Sequence, residues 1–384
     1  MPPNVVFILA DDLGYGDLSC FNGGLSHTPV LDDLAATGTV LTQHYSSSPV
    51  CAPARASLLT GRYPHRTGAF DTLEGRGLDR IRLGERTIAE ALAANGYATG
   101  LVGKWHNGAL DERYHPNRRG FREFAGFSGG WSDYWNWRLD RNGSTTPSDG
   151  SYLTDVLTDE AIGFVHRHRD EPFFLHLAYS APHYPLQAPE TDIAPFAESG
   201  ELTGAVARLY AMVSAENTLV VFSSDNGPQF GGDGDNCLDR FNCGYRGHKL
   251  LVYEGGIRLP AIVRWPAGLP ALDPVDGLVH LTDWFPTLLA AAGIPASDGP
   301  NLDGVNVLPL LQGEPAEVPP TRFWQWNRYQ PVAECNAAMR DGHWKLVRPA
   351  LPEAMEVASE DMAMDVALKY QPDAFSAIRD EPFP

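Results

Sequence analysis

Ser48-Pro49-Val50-Cys51-Ala52-Pro53-Ala54-Arg55-Ala56-Ser57-Leu58-Leu59-Thr60-Gly61-Arg62 places a cysteine where a helix is expected to begin. Pro53 suits a first helical position, because the N–H it lacks is one that the first turn leaves unpaired anyway. Ala54 to Thr60 are mostly good helix formers, and Gly61 supplies a C-terminal stop. Cys51 is therefore expected beside unpaired backbone N–H groups and the positive end of a helix dipole, which makes an anion site. Arg55, one turn on, adds a fixed positive charge aimed at the same place. Taken alone, a Cys-x-Pro-x-Arg stretch is as consistent with a buried structural thiol and a surface arginine.

Outward from this helix, several apolar runs end in polar residues. Asn4 to Ala10 is short and rich in β-branched residues and closes at Asp11-Asp12, which reads as a buried strand delivering two carboxylates to a loop. An acidic turn is the plainer reading of the pair. Ala98 to Gly103 reads as a strand ending at Lys104-Trp105-His106, after a helix whose Thr87 and Glu90 form a capping box. Phe173 to Tyr179 leads into Ala181-Pro182-His183-Tyr184-Pro185, where the prolines hold His183 in a rigid loop. Thr218 to Ser224 delivers Asp225-Asn226-Gly227. In an open α/β sheet, the carboxyl ends of the strands are where ligands bind.

Further helices are expected from Thr28-Pro29 to a stop at Gly38, over Asp155 to His168, over Leu202 to Ser214 and from Thr282 or Asp283 to Ala292, with strands over Val40 to Tyr45 and Leu259 to Trp265. The Pro- and Gly-rich run from Pro295 to Pro320 reads as a linker around a short apolar element, Val305 to Leu311. Beyond it, Arg322 to Trp326, a hairpin over Ala337 to Val347 and a helix near Ser359 to Tyr370 suggest a small C-terminal unit. The expected division is a catalytic domain over 1–315 and a C-terminal subdomain over 316–384.

The chain of 384 residues, 43% hydrophobic, is long enough for one large α/β domain and an appendage. A formal charge of -19 argues against nucleic acid as a partner and would repel an anionic substrate unless the site carries its own cations. Five cysteines, widely spread, do not form the disulfide framework of a small secreted domain. Cys237 and Cys243 could pair, and free thiols are the favoured reading. No apolar run reaches membrane-spanning length, and Met1-Pro2-Pro3-Asn4 shows no signal core. The expectation is a protein with no membrane partner, cytoplasmic as given, or periplasmic or secreted if a leader has been removed.

Cys51-Ala52-Pro53-Ala54-Arg55, continued by Leu59-Thr60-Gly61-Arg62, closely resembles the signature of the sulfatase family, in which this cysteine is oxidised to formylglycine. The resemblance spans roughly residues 4 to 348 and includes Val6 to Leu18, Gly103-Lys104-Trp105-His106, the Pro-His at His183, Ser224-Asp225-Asn226-Gly227 and the segment Gly247 to Pro260 around Lys249. It implies an alkaline-phosphatase-like α/β fold: a mainly parallel central sheet flanked by helices, plus a small C-terminal antiparallel sheet. Three departures stand out. Ala54 replaces a serine that many members carry, which bears on the efficiency of maturation. The connection over 179–217 is shorter than usual. Family members also commonly continue with a further strand and a closing helix, so the C-terminal subdomain is expected to be incomplete.

Asp11, Asp12, Asp225 and Asn226 all offer oxygen, which suits a hard divalent cation, calcium before magnesium. Cysteine sulfur is an odd fifth ligand, whereas an oxygen at position 51 is a natural one. The resemblance implies hydrolysis of an aryl or carbohydrate sulfate ester by a hydrated formylglycine at 51, after a formylglycine-generating enzyme has matured the chain. On the same basis Arg55 orients that group, Lys104 and Lys249 hold sulfate oxygens, His183 or Lys249 protonates the leaving oxygen, and His106 takes the proton that triggers sulfate release. Two rival readings are a phosphonate or phosphate ester hydrolase with the same site, and an inactive calcium-binding member. Trp131 and Trp135, within Trp131 to Trp137, are candidates for stacking on the substrate, as is the stretch Phe323 to Tyr329. Packing between the two domains accounts for these aromatics equally well. The sequence leaves the oligomeric state open.

Overall fold

The computed structural model describes residues 2–26, 28–190, 217–229, 240–270, 273–296 and 299–376. The helix expected over 202–214, most of the short connection, the glycine-rich loop 231–236 and Cys237 lie outside them. The strands in chain order are β1 (Asn4–Ala10), β2 (Thr39–Val40), β3 (His44–Tyr45), β4 (Ala98–Lys104), β5 (Glu123–Phe127), β6 (Arg138–Arg141), β7 (Ser144–Pro147) and β8 (Phe173–Ala178). They continue with β9 (Thr218–Ser224), β10 (Arg258–Leu259), β11 (Ala261–Arg264), β12 (Val279–His280), β13 (Thr321–Gln325), β14 (Ala337–Asp341) and β15 (Trp344–Arg348).

A nine-stranded sheet runs in the order β2-β11-β9-β1-β8-β4-β5-β6-β7. Its centre is parallel, through β9-β1, β1-β8, β8-β4 and β4-β5, and antiparallel pairs close both flanks. Side chains alternate across a strand, so β1 feeds two cores at once. Val5, Phe7 and Leu9 join a layer with the helices Cys51–Thr60, Ile88–Ala93 and Trp284–Ala291. Val6, Ile8 and Ala10 join the opposite layer with Pro29–Thr37 and Leu153–Arg167. Burial on both faces explains why these strands read as continuous apolar runs.

Parallel pairing puts the carboxyl ends of β1, β4, β8 and β9 on one edge. Ala10 is in register with Ser224, and Leu9 with Ala178, so Asp11, Asp225 and the loop after β8 emerge side by side. Gly103, in register with the same Ala178, has φ +106, and a Cβ there would lie 1.9 Å from the Ala178 carbonyl oxygen. Only glycine permits that approach, and it delivers Lys104 to the edge.

The C-terminal strands β13, β14 and β15 form a separate antiparallel sheet. It is fastened to the main body by the buried pair Arg322–Asp283 at 2.9 Å and by Trp324 Nε1, which donates to the Ser46 carbonyl at 2.6 Å. The stretch read as a linker is packed in place: Val307 and Leu311 are buried in the main core. The strand expected over 40–45 is two short pieces, β2 and β3, which pair in different sheets.

Candidate active site

The Cys51 helix spans Cys51–Thr60, capped by Gly61 in the left-handed conformation, and every residue in it is buried. It begins at Cys51, so Pro53 falls within the first turn rather than opening it. Arg55 lies under the strand edge. Its Nε donates to Asp225 Oδ2 at 2.9 Å, its Nη1 to the Lys104 carbonyl at 3.2 Å, and its Nη2 is 3.6 Å from Asp11 Oδ1. Arg55 is thus an interior cation facing two carboxylates at the site, and the plainer alternative of a surface arginine does not hold.

Asp11, Asp12, Lys104, Asp225 and Asn226 are all 0% exposed. Lys104 Nζ is 2.5 Å from Asp11 Oδ2, and Lys249 Nζ is 2.8 Å from Asp12 Oδ2. Asn226 Nδ2 donates to Asp12 Oδ1 at 2.7 Å, and the Asp12 N–H to Asp225 Oδ1 at 3.2 Å. Cys51 Sγ is 3.9 Å from Asp12 Oδ1, and His183 Nε2 is 3.7 Å from Asp12 Oδ2. Donor atoms of Asp11, Asp12, Cys51 and His183 lie within 4.8 Å of one another, a cluster able to hold a metal ion. Asp225 lies alongside, its Oδ2 accepting from Arg55 Nε and its Oδ1 from the Asp12 N–H, and His183 is a member of the group. Two acceptors, Asp11 Oδ1 and Asn226 Oδ1, are buried without a hydrogen bond, so the oxygen set fits a hard cation that would satisfy both.

Backbone strain gathers here. Asp12 (φ 63), His106 (φ 53) and Leu250 (φ 79), the residue after Lys249, all hold the left-handed conformation that side chains disfavour. The electrostatics follow from burial. Burial pushes the Cys51 thiol up to about 12, against Lys104 and Lys249, so the unmodified sulfur is a protonated, poor nucleophile. Burial would raise Asp12, but Lys249, His183 and Lys104 outweigh it and hold the carboxyl well below the usual range. Burial and then Asp11 push Asp225 up to about 6, against Arg55. His183 falls to about 3 through burial and the charge of Lys249, and His106 falls well below its ordinary value through burial, Lys104, Lys369 and Arg55. Both imidazoles are neutral, and each is oriented by a carbonyl. His183 Nδ1 donates to Tyr184 O at 2.7 Å, and His106 Nε2 to Thr72 O at 3.3 Å.

A cleft of about 330 Å³ opens over the cluster, lined by Cys51, His106, His183, Lys249 and Trp131 among others. Trp131 stacks obliquely on Tyr184, their ring centres 5.6 Å apart. Trp135 is not part of the lining; it packs on Tyr152 at 5.2 Å. In the second aromatic stretch Trp324 and Trp326 are buried and serve packing, whereas Arg328 reaches the cleft.

Residues 3–294 match the family model for the sulfatase domain. The chain belongs to the sulfatase family. Residues 244–361 match the C-terminal model of N-sulphoglucosamine sulphohydrolase. This sulfatase is 36% identical over 389 residues to arylsulfatase A of Homo sapiens, covering 90% of this chain and 74% of that protein. It is 33% identical over 363 residues to N-acetylgalactosamine-6-sulfatase of Sus scrofa, covering 83% and 68%. The structure of Ps i-CgsB with k-i-k-neocarrahexaose superposes with a TM-score of 0.80 at 33% identity, covering 91% of this chain and 84% of that one. The enzyme class is therefore sulfuric ester hydrolase, and the fold is the expected alkaline-phosphatase-like one.

The remaining lining of the sulfatase cleft was legible only in part: Arg328 lies in the stretch Phe323 to Tyr329, but nothing in the sequence pointed to the helix Ser359–Tyr370 as part of it. Met362 and Asp365, from the helix Ser359–Tyr370, and Arg328, after β13, form part of its wall. The C-terminal unit thus contributes to the site instead of standing apart from it. Among the described residues no helix is long and apolar enough to cross a membrane, and Cys20, Cys51, Cys243 and Cys335 are free thiols.

Behind the site, Asn107 Nδ2 ties the Cys51 helix, at Ala52 O, to Asp79 O. Burial, reinforced by Glu74, pushes the Asp79 carboxyl up to about 7. The folded chain therefore holds a proton there that the unfolded chain releases near the ordinary value of 3.8. This stability is complete below 3.8 and is lost as pH rises through about 7. Asp79→Asn is expected to flatten that decline and raise Tm on the alkaline side, read by calorimetry across pH. An unchanged Tm profile would mean that the carboxyl is ionised in the fold.

Proposed function

We propose that this sulfatase cleaves an aryl or carbohydrate sulfate monoester with residue 51 matured to formylglycine and one calcium ion held by Asp11, Asp12, Asp225 and Asn226. The observation that carries the reading is the meeting of Asp11 and Asp12 with Cys51 at a helix N-terminus, with Asp225 and Asn226 hydrogen-bonded to Asp12, Lys104 paired with Asp11 and Lys249 with Asp12. When present, the cation and the hydrated aldehyde supply Lewis acidity and an attacking oxygen.

The chain's own residues do the rest. Lys104 and Lys249 present two ammonium groups where charge spreads over the sulfuryl oxygens. Arg55 fixes Asp11 and Asp225 and so sets the floor beneath residue 51. Neutral His183 spends its proton on Tyr184 O, leaving Nε2 bare, so Lys249 is the better donor to the leaving oxygen. His106 directs Nε2–H at Thr72 O, and its buried Nδ1 has no hydrogen-bond partner, which suits it to take the proton that triggers sulfate release. Trp131, in the cleft lining, offers a face to a sugar or aryl ring.

Mass analysis of the peptide containing Cys51 is expected to show loss of one sulfur and two hydrogens and gain of one oxygen. An unmodified thiol in a protein that still turns over a sulfate ester would overturn the formylglycine part. Chelation is expected to reduce hydrolysis of para-nitrophenyl sulfate to background, with calcium restoring more than magnesium. Greater restoration by magnesium would reverse the ion assignment, and a matched aryl phosphate is expected to react more slowly.

A further inference from the structure

Glu74 and Lys369 belong to no motif read from the sequence, yet they meet behind His106. Glu74 Oε1 accepts from the Gly130 N–H at 2.5 Å and from Lys369 Nζ, and lies 3.8 Å from His106 Nε2. The pair is nearly sealed from solvent, the side chains 2% and 5% exposed. Desolvation cancels most of what such a pair contributes to stability, so stability alone explains it poorly. The same backbone that holds Glu74 also clamps the imidazole: a Cβ on Gly130 would lie 2.6 Å from His106 Cε1. Lys369 comes from the helix Ser359–Tyr370, which is fixed to the Glu74–Arg76 turn by Arg76–Asp361 at 2.7 Å. Its Met364 sits so close that a Cβ on Gly75 would lie 2.2 Å from the sulfur.

We propose that Glu74, anchored by Lys369 from the C-terminal helix, is a positioning residue for His106: while Thr72 O accepts the Nε2–H, the carboxylate 3.8 Å from Nε2 favours that tautomer by its charge and leaves Nδ1 bare for proton transfer. The proposal rests on the reading of His106 as proton acceptor. Three cations face that ring: Lys104 from β4, Arg55 from the Cys51 helix and Lys369 from the C-terminal helix. Glu74, itself near Asp365 and Asp79, is the carboxylate that faces the ring and offsets them when the imidazolium forms. Proton transfer in the main domain thereby depends on the docking of a helix from the far end of the chain.

The test compares Glu74→Gln, Lys369→Gln and His106→Gln in the matured, metal-loaded enzyme, with kcat and KM on para-nitrophenyl sulfate measured across pH. Glu74→Gln keeps an acceptor for Gly130 and removes the charge. It is expected to lower kcat about tenfold to a hundredfold with KM little changed, and to move the acid limb of the profile down by about one pH unit. Lys369→Gln leaves the carboxylate and removes a cation, so the limb is expected to move up. Opposite shifts are something a purely structural pair would not produce, and Lys369→Arg is expected to restore the wild-type profile. Wild-type kcat and pH profile in folded Glu74→Gln, or shifts of the same sign in both glutamine variants, would overturn the proposal. Should Glu74→Gln fail to fold, the direction of the Lys369→Gln shift decides alone. A His106→Gln enzyme with normal kcat removes the proton-acceptor reading, and the positioning role with it.

Discussion

Cys51→Ala is expected to lower kcat/KM on an aryl sulfate by on the order of 10⁴-fold or more, the scale seen when an enzyme loses its attacking group. The side chain is 2% exposed at the start of a helix, 3.9 Å from Asp12. Alanine fits that backbone, so the loss of one small buried polar group is expected to cost roughly 1 kcal/mol of stability. Rate and stability therefore separate. If Cys51 were only a structural thiol, the substitution would lower Tm and leave turnover intact, and residual activity within a hundredfold of wild type would remove residue 51 from the chemistry. Circular dichroism and calorimetry on the same sample show whether the fold persists, and calcium-dependent stabilisation shows whether the oxygen ligands still assemble.

The separation is expected because the fold and the chemistry draw on different residues. Strands β1, β4, β8 and β9 were legible because both their faces are buried, which leaves unbroken apolar runs in the sequence. Each run ends where the sheet edge begins, so polar residues after an apolar run located Asp11, Lys104 and Asp225 correctly. Other readings failed for physical reasons. Pro53 was taken as the first helical residue, but any first-turn position spares the missing N–H, and the helix starts at Cys51. Prolines and glycines over 295–320 suggested a linker around the short apolar element Val305 to Leu311, and that element packs into the core through Val307 and Leu311, so the run is not a free linker. Trp131 and Trp135 share a short stretch but face different surroundings. The Glu74–Lys369 contact spans 295 positions of sequence, and nothing local to either residue announces it.

Lys104→Ala is expected to lower kcat by on the order of a hundredfold to a thousandfold, the usual loss when one preorganised donor to a developing anion is removed. Its effect on the fold needs separate treatment, because Lys104 and Asp11 are both sealed from solvent and only 2.5 Å apart. Deleting one partner of such a pair commonly costs about 3–5 kcal/mol, since the other charge is left buried alone. Here Asp11 is not left alone: Arg55 Nη2 remains 3.6 Å away, and bound calcium is expected to be a stronger partner. The metal-free variant should therefore melt well below wild type, and saturating calcium should recover most of the difference. Calcium affinity should be kept or increased, because Lys104 no longer competes for Asp11, while turnover stays low because the sulfuryl oxygens have lost a cation. A folded, calcium-bound variant with near-normal kcat would take Lys104 out of sulfate binding and confine it to holding Asp11 in place.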